Sequence, residues 1–264
     1  MYKTMIIVEA ERSVAFESPD YLYPYGTVRD NHRNWRFNEK IYEVFKYKHK
    51  ILTVLDIGCS GGGFVKDCLD DSCLAIGIEG SDYSKRLKRA EWRTIPDNLF
   101  TGDITGEIDI YITDENDNKE RIIFDLITCW DVIEHIKEED LVKVSNNVKK
   151  HLSESGVWIM NVSTTDSFHD GVNLHQTVRP REWWIEKFSD LGLEHLHKFE
   201  KYFNEQYIRG TKYHSPNSFP LILSTNEKKS PKVPKLSFSS KLLDKYWYGS
   251  KSHKRLLKLI LLRP

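Results

Sequence analysis

Residues 54–64 read Val-Leu-Asp-Ile-Gly-Cys-Ser-Gly-Gly-Gly-Phe. A short apolar run delivers Asp56 and then Gly58, Gly61, Gly62 and Gly63. Such a run, bounded by glycine, predicts a strand buried on both faces. The glycines permit a tight turn into a helix and let a ligand approach backbone N–H groups. A strand of this kind needs parallel neighbours beside it and helices above and below.

The following sequence supplies them. "ILTVLDIGC" (51–59) predicts a strand and "GFVKDCLDD" a helix. "CLAIGIEG" (73–80) predicts a second strand and "DYSKRLKRAEW" an amphipathic helix. "NLFTGDIT" (98–105) is a third strand candidate. The stretch 107–130 reads as a hairpin with an acidic turn, its return leg running into a central strand over Phe124–Trp130. "EEDLVKVSNNVKKHL" predicts a helix and "GVWIMNVST" (156–164) a strand. "RPREWWIEKFSDLG" predicts a helix with Pro180 near its start and Gly192 after its end. "LEHLHKFEKY" and "SFPLILST" read as a terminal pair of strands. Alternating strands and helices mean a mostly parallel sheet covered on both faces. Residues 1–50 read as mostly loop, with a short helix over "NEKIYEVFKYK".

Charge is balanced overall, with 39 basic and 39 acidic residues, but unevenly placed. From Thr225 onward there are 11 Lys/Arg and 2 Asp/Glu, a net of +9, so residues 1–224 carry −9. Nucleic-acid affinity comes chiefly from Lys/Arg contacts to phosphate, which the main body does not favour. In "KSHKRLLKLILLRP", Lys251, Lys254, Arg255 and Lys258 fall opposite leucines. That pattern suits a docked terminal helix, or a helix meeting a membrane surface, a polyanion or a partner protein. The cysteines are Cys59, Cys68, Cys73 and Cys129, with no Cys-x-x-Cys pair, which reads as reduced thiols and a cytoplasmic chain. Peripheral membrane attachment through the tail stays open. No apolar run reaches the ~18–20 residues of a membrane span.

The glycine spacing excludes two common nucleotide motifs. A dinucleotide fingerprint needs glycines at relative positions 1, 3 and 6, but position 3 from Gly58 is Ser60, and position 6 from Gly61 is Lys66. A phosphate-binding loop needs Gly-Lys-Ser/Thr, which is absent.

Asp56-Ile57-Gly58-Cys59-Ser60-Gly61-Gly62-Gly63 resembles the first motif of class I S-adenosylmethionine (SAM) methyltransferases, with Ser60 replacing one usual glycine. Glu79 then stands at the end of the second strand and Asp103 after the third. "FDLITCWDVIEHI" and "GVWIMNVST" match the fourth and fifth strand motifs, and the likeness spans roughly residues 50–225. The resemblance implies a Rossmann-like α/β fold with a seven-stranded, mostly parallel sheet. It implies SAM held by Asp56, Gly58, Cys59 and Gly61, with Glu79 and Gly80 at the ribose and Asp103 and Ile104 at the adenine. Trp130 completes that set. Three parts follow: an N-terminal lid (1–50), a methyltransferase domain (51–225) and a basic C-terminal extension (226–264).

O-methylation of an alcohol needs a base or a metal, because the hydroxyl is a weak nucleophile at pH 7. His169 and His175 lie between the fifth strand and the next helix, at the sheet edge where ligands bind. Asp131-x-x-Glu134-His135 with His175 is similar to the metal-binding set of small-RNA 2′-O-methyltransferases, Asp131 replacing a Glu. If that segment starts a helix, residues i, i+3 and i+4 share a face, and oxygen with imidazole donors suits Mg²⁺ or Mn²⁺. The same Asp-Val-Ile-Glu-His pattern also recurs in class I methyltransferases without metal, so His175 as a lone base remains open. The "REWW" helix and the N-terminal "SP-x-Y…GT-x-x-DN" segment are similar to methyltransferases acting on sugars and polysaccharides. The expected acceptor is therefore a sugar hydroxyl of a glycan. An RNA ribose and a small molecule are the alternatives.

Overall fold

The structure is a computed structural model that describes residues 5–22, 34–45, 51–114, 116–210 and 215–246. In chain order the strands are β1 (Met5–Ala10), β2 (Thr53–Ile57), β3 (Leu74–Glu79), β4 (Leu99–Thr101), β5 (Ile108–Thr113) and β6 (Lys119–Arg121). They continue with β7 (Phe124–Trp130), β8 (Leu152–Ser163), β9 (Phe168–His169), β10 (Val172–Asn173), β11 (Glu194–His195) and β12 (Ser218–Ser224). The helices are α1 (Pro19–Leu22), α2 (Trp35–Phe45), α3 (Gly63–Asp70), α4 (Tyr83–Arg86), α5 (Leu141–His151), α6 (Arg181–Asp190), α7 (His197–Phe203) and α8 (Phe238–Tyr246).

Seven strands form one sheet in the order β11-β12-β8-β7-β2-β3-β4. β8, β7, β2, β3 and β4 are mutually parallel, and β12 and β11 run antiparallel at one edge. This is the expected mostly parallel sheet. The order reverses between β2 and β7, and open α/β sheets bind ligands outside the carboxyl ends of strands at such a reversal.

Side-chain alternation along each strand divides the core. Leu126 and Trp130 face one cluster with Phe37 of α2, Phe64 of α3 and Phe203 of α7. Ile127 and Cys129 face the other, with Val144 of α5 and Trp184 and Phe188 of α6. Because both faces are covered, every residue of β7 is buried. That is why the central strands read as unbroken apolar runs.

Several elements depart from expectation. Met5–Ala10 is a strand, not loop; it pairs antiparallel with β5, which also pairs with β6, in a separate three-stranded sheet. The expected helix over "DYSKRLKRAEW" is cut to α4 and a short 3-10 turn over Ala90–Arg93. Lys88 and Ala90 have positive φ there, which no continuous helix accommodates. The strand pair near 193–224 keeps only Glu194–His195 of its first member. The chain then turns helical, because Phe199, Tyr202 and Phe203 fall at helical spacing and are all buried.

Both ends of the described chain pack on this body. Phe37 of α2 is fully buried. The C-terminal α8 docks through Asp244, whose carboxylate accepts from Arg36 Nε at 2.6 Å and Lys40 Nζ at 2.7 Å. The basic stretch 251–263, read as an amphipathic helix, and most of the N-terminal "YLYPYGTVRDNHRNW" lie outside the described residues.

Candidate active site

A cavity of about 450 Å³ opens at the carboxyl ends of β2, β3 and β7. Its volume lies in the usual range for small-molecule sites. One end is built by the glycine turn. Gly58 has φ +72°, and a Cβ there would sit 2.2 Å from Val132 Cγ2, so the loop after β2 and the loop after β7 touch only because position 58 is glycine. Ser60, also at positive φ, turns its backbone N–H onto Glu79 Oε2 at 2.7 Å. Glu79 Oε1 accepts from Ser81 N–H at 3.2 Å. Burial raises the Glu79 pKa, and these backbone donors oppose that rise.

The N-terminal residues 11–22 form a strap over this end. Glu11 N–H donates to Glu107 O at 2.8 Å, Asp103 N–H to Arg12 O at 2.9 Å, and Ala15 N–H to Gly80 O at 2.8 Å. Arg12 Nε donates to Asp103 Oδ2 at 2.7 Å, while Asp103 Oδ1 accepts from Thr105 N and Oγ1. Asp103 lines the cavity, yet each of its oxygens already serves a protein donor.

The other end holds Glu134, His135 and His175. One ligand-type atom from each lies within 4.8 Å of the others. Glu134 and His135 sit on a 3-10 turn, Ile133–His135, and the turn is pinned to the loop after β10 by Gln176 and Thr177 N–H groups donating to Glu134 O. Glu134 Oε1 accepts from Ser163 N–H at 3.0 Å, but Oε2 is buried with no partner. Burial and then the nearby Asp131 push the Glu134 pKa up to about 7. The His135 and His175 rings meet edge to face with centroids 4.6 Å apart. His175 Nδ1 is 2.5 Å from Thr165 O, and a carbonyl only accepts, so the proton sits on Nδ1 and Nε2 keeps its lone pair. Burial, and then the charge of His135, lowers the His175 pKa. His135 Nδ1 makes a 2.5 Å ion-pair contact with Asp20 Oδ2 of the strap. Burial opposes charge on His135, but Asp20, Glu134 and Asp131 together outweigh it and raise its pKa.

Asp131 does not join this cluster as the helical spacing predicted. Its φ of +54° places it outside the turn that carries Glu134 and His135. Its carboxylate instead accepts from Asn161 Nδ2 and from Ser215 Oγ, the latter at 2.5 Å, with Arg209 Nη1 at 3.4 Å. It lines the cavity beside the cluster.

The remaining expected residues divide. Gly58, Glu79, Gly80, Asp103, Ile104 and Trp130 all line the cavity. Asp56 does not: it is fully buried beneath the loop and accepts from Thr128 Oγ1 at 2.7 Å. Cys59 points into the core against Gly77, and Gly61 uses its carbonyl to accept from Glu91 N–H. Neither lines the cavity. His169 lies on β9 beside Asp170, also away from it. Sequence reasoning missed Ser60 as a lining residue, Arg209, and Asp20 within the N-terminal segment expected as a lid.

Residues 29–210, more than half the chain, match the family model described as "Methyltransferase domain". The chain belongs to the methyltransferase domain family. It is a methyltransferase, and its seven-stranded sheet has the Rossmann-like arrangement expected of a class I methyltransferase. Similar solved structures include the PH0226 protein from Pyrococcus horikoshii OT3 (17% identity, 83% of this chain and 95% of that one, TM-score 0.47). Another is a SAM-dependent methyltransferase from Clostridium acetobutylicum ATCC 824 (16% identity, 78% and 97%, TM-score 0.48). A third is a putative SAM-dependent methyltransferase from Listeria monocytogenes (14% identity, 73% and 98%, TM-score 0.47). Among curated proteins none matches the chain. No helix among the described residues is long and apolar enough to cross a membrane.

The methyltransferase's residues fit the cofactor that the fold implies. Glu79 offers buried carboxylate oxygens of the kind that accept from ribose hydroxyls. Trp130 presents a buried indole N–H with no protein partner and also lines the cavity. They fit a divalent metal as well. Glu134 has an orphaned oxygen, His175 Nδ1 is hydrogen-bonded to Thr165 O, and His135 Nδ1 lies in ion-pair contact with Asp20, an outer partner of the kind that orients metal-ligating histidines.

Proposed function

We propose that this methyltransferase O-methylates a sugar hydroxyl of a glycan, and that Glu134, His135 and His175 form its reaction centre. SAM supplies an activated methyl group; Glu79 and Gly80 hold its ribose, and Asp103 and Ile104 border its adenine. Without a metal, His175 would accept the hydroxyl proton at Nε2, the same lone pair that would otherwise ligate the ion. Its lowered pKa keeps the ring neutral at pH 7, and Thr165 fixes its orientation. Glu134, His135 and His175 would hold Mg²⁺ or Mn²⁺, a Lewis acid that lowers the pKa of the acceptor hydroxyl. Asp131 lies next to this set, tied to Arg209 and Ser215, and shapes the acceptor side of the cavity.

The observation that carries the choice of acceptor is the charge of the lining. Among the described residues it holds seven carboxylates, against Lys137 and Arg209 as permanent cations. A field of that sign favours a sulfonium donor and a divalent cation, and it repels a phosphodiester chain. An uncharged polyol suffers no such penalty.

Methyl-labelled SAM incubated with separated glycan and RNA fractions should label the glycan. Label in RNA alone would overturn the acceptor assignment. Excess EDTA should abolish transfer and Mn²⁺ or Mg²⁺ should restore it. Full activity in chelator would leave His175 as a lone base and remove the metal.

A further inference from the structure

We infer that Asp20, in the strap that covers the donor end of the cavity, is the positioning residue for His135. The inference deepens the reading above, because it assumes that His135 belongs to the reaction centre.

The geometry begins with reach. Asp20 and His135 are far apart in sequence, yet Asp20 Oδ2 lies 2.5 Å from His135 Nδ1. The contact is half-enclosed, with side-chain exposures of 24% and 14%. Among the described residues Asp20 Oδ1 is buried without a hydrogen-bond partner, and His135 Nδ1 has none either, so the ion-pair contact is what this carboxylate offers the imidazole. It is aimed at the imidazole by short local structure. Ser18 N–H donates to Ala15 O, Asp20 N–H to Ser18 Oγ and Tyr21 N–H to Ser18 O, while Ala15 is tied to Gly80.

A carboxylate at Nδ1 fixes two things about an imidazole: which nitrogen carries the proton, and how the ring is rotated. Here it leaves Nε2 as the nitrogen available to the reaction. His175 receives the same treatment from Thr165 O. The two rings therefore meet partners through equivalent atoms, Thr165 from the loop after β8 and Asp20 from the strap. The partner of His135 is the only one of the two that comes from the strap.

That origin gives the contact a second consequence. The strap touches Asp103 through Arg12 and Gly80 through Ala15, both on the donor side, before reaching His135. A strap displaced from the donor site also removes Asp20. The acid is thus placed so that the His135 ring is set when the donor end of the cavity is covered.

The first arm of the test uses full-length protein labelled with ¹⁵N-histidine, so that arm needs no acceptor and stands even if the glycan assignment fails. Wild-type protein should show a His135 Nδ1–H that is protected from water exchange, assigned by its loss in His135→Ala and distinct from the His175 Nδ1–H held by Thr165 O. Asp20→Ala should lose that protection, and Asp20→Asn, which keeps an acceptor oxygen, should retain it. Titration calorimetry should find SAM affinity within about threefold of wild type in both variants. Transfer of label from saturating SAM to the glycan fraction should fall about 10–100-fold in Asp20→Ala, with partial recovery in Asp20→Asn. A protected His135 Nδ1–H in Asp20→Ala would overturn the inference. So would a loss of SAM affinity with the turnover number unchanged, which would make Asp20 part of the donor cover only. A thermal melt of each variant separates these outcomes from unfolding, and Asp20→Asn carries the test if Asp20→Ala does not fold.

Discussion

Asp244 and Glu134 are both completely buried carboxylates, 0% exposed, and the protein treats them in opposite ways. Asp244 is neutralised by two cations: Arg36 Nε meets one oxygen and Lys40 Nζ the other. Lys40 has a further acceptor in Tyr202 O at 2.6 Å. That cluster is saturated, and it joins α2, α7 and α8 into one unit. Glu134 has one backbone donor on one oxygen and nothing on the other. Its neighbours are another acid and two histidines, so nothing nearby discharges it fully. Burying a charge is costly unless it is paired. The first cluster meets that requirement within the fold and is structural. The second leaves it open toward a cavity, which is the expected condition of a site that completes itself with a ligand.

The contrast can be broken from either side. The largest effect belongs to Asp244→Ala, which removes the carboxylate shared by Arg36 and Lys40 and leaves the buried Lys40 charge on the Tyr202 carbonyl while Arg36 keeps Glu39. Chemical denaturation should show a loss of about 3–5 kcal/mol. A loss under about 1 kcal/mol would mean that the cluster is not a clasp.

Glu134→Gln should act with the opposite sign. Glu134 has a folded pKa near 7 against 4.5 for the free group, so its ionisation disfavours the folded state. Its contribution is most favourable below about pH 4.5 and is lost as pH rises through 7. Glutamine keeps the acceptor for Ser163 without the charge. The variant should therefore be more stable than wild type at pH 8, by about 1–3 kcal/mol, and equal to it near pH 4. Methyl transfer should nevertheless fall. Lower stability at pH 8 would place Glu134 with Asp244 as a structural acid.

How much of this was legible follows from what each signal depends on. Parallel strands buried on both faces must be apolar throughout, so Thr53–Ile57, Leu74–Glu79 and Phe124–Trp130 stood out. Their glycine turn and strand-end acid marked the donor end of the cavity. Features set by backbone sign or distant pairing did not show. Nothing in "CWDVIEH" announces that Asp131 adopts positive φ and leaves the register of Glu134 and His135. Asp56 reads as a ligand-facing acid, but a hydrogen bond to Thr128 on the neighbouring strand holds it below the loop. Asp20 sits in a polar, proline-containing segment, and its meaning lies in an imidazole more than a hundred residues away. Asp244 is one of two acids in the basic stretch from Thr225 onward, and composition does not say that it is the one Arg36 and Lys40 reach. Local pattern reports burial; it does not report which buried charge finds a partner.

The central claim is that the unsaturated cluster performs transfer while the glycine-turn end holds the donor. His175→Ala separates the two most directly, measured by calorimetric SAM binding beside transfer of labelled methyl to the glycan fraction. The account predicts SAM affinity within about threefold of wild type and a turnover lower by about 10²–10⁴-fold. Wild-type turnover in that variant would contradict it.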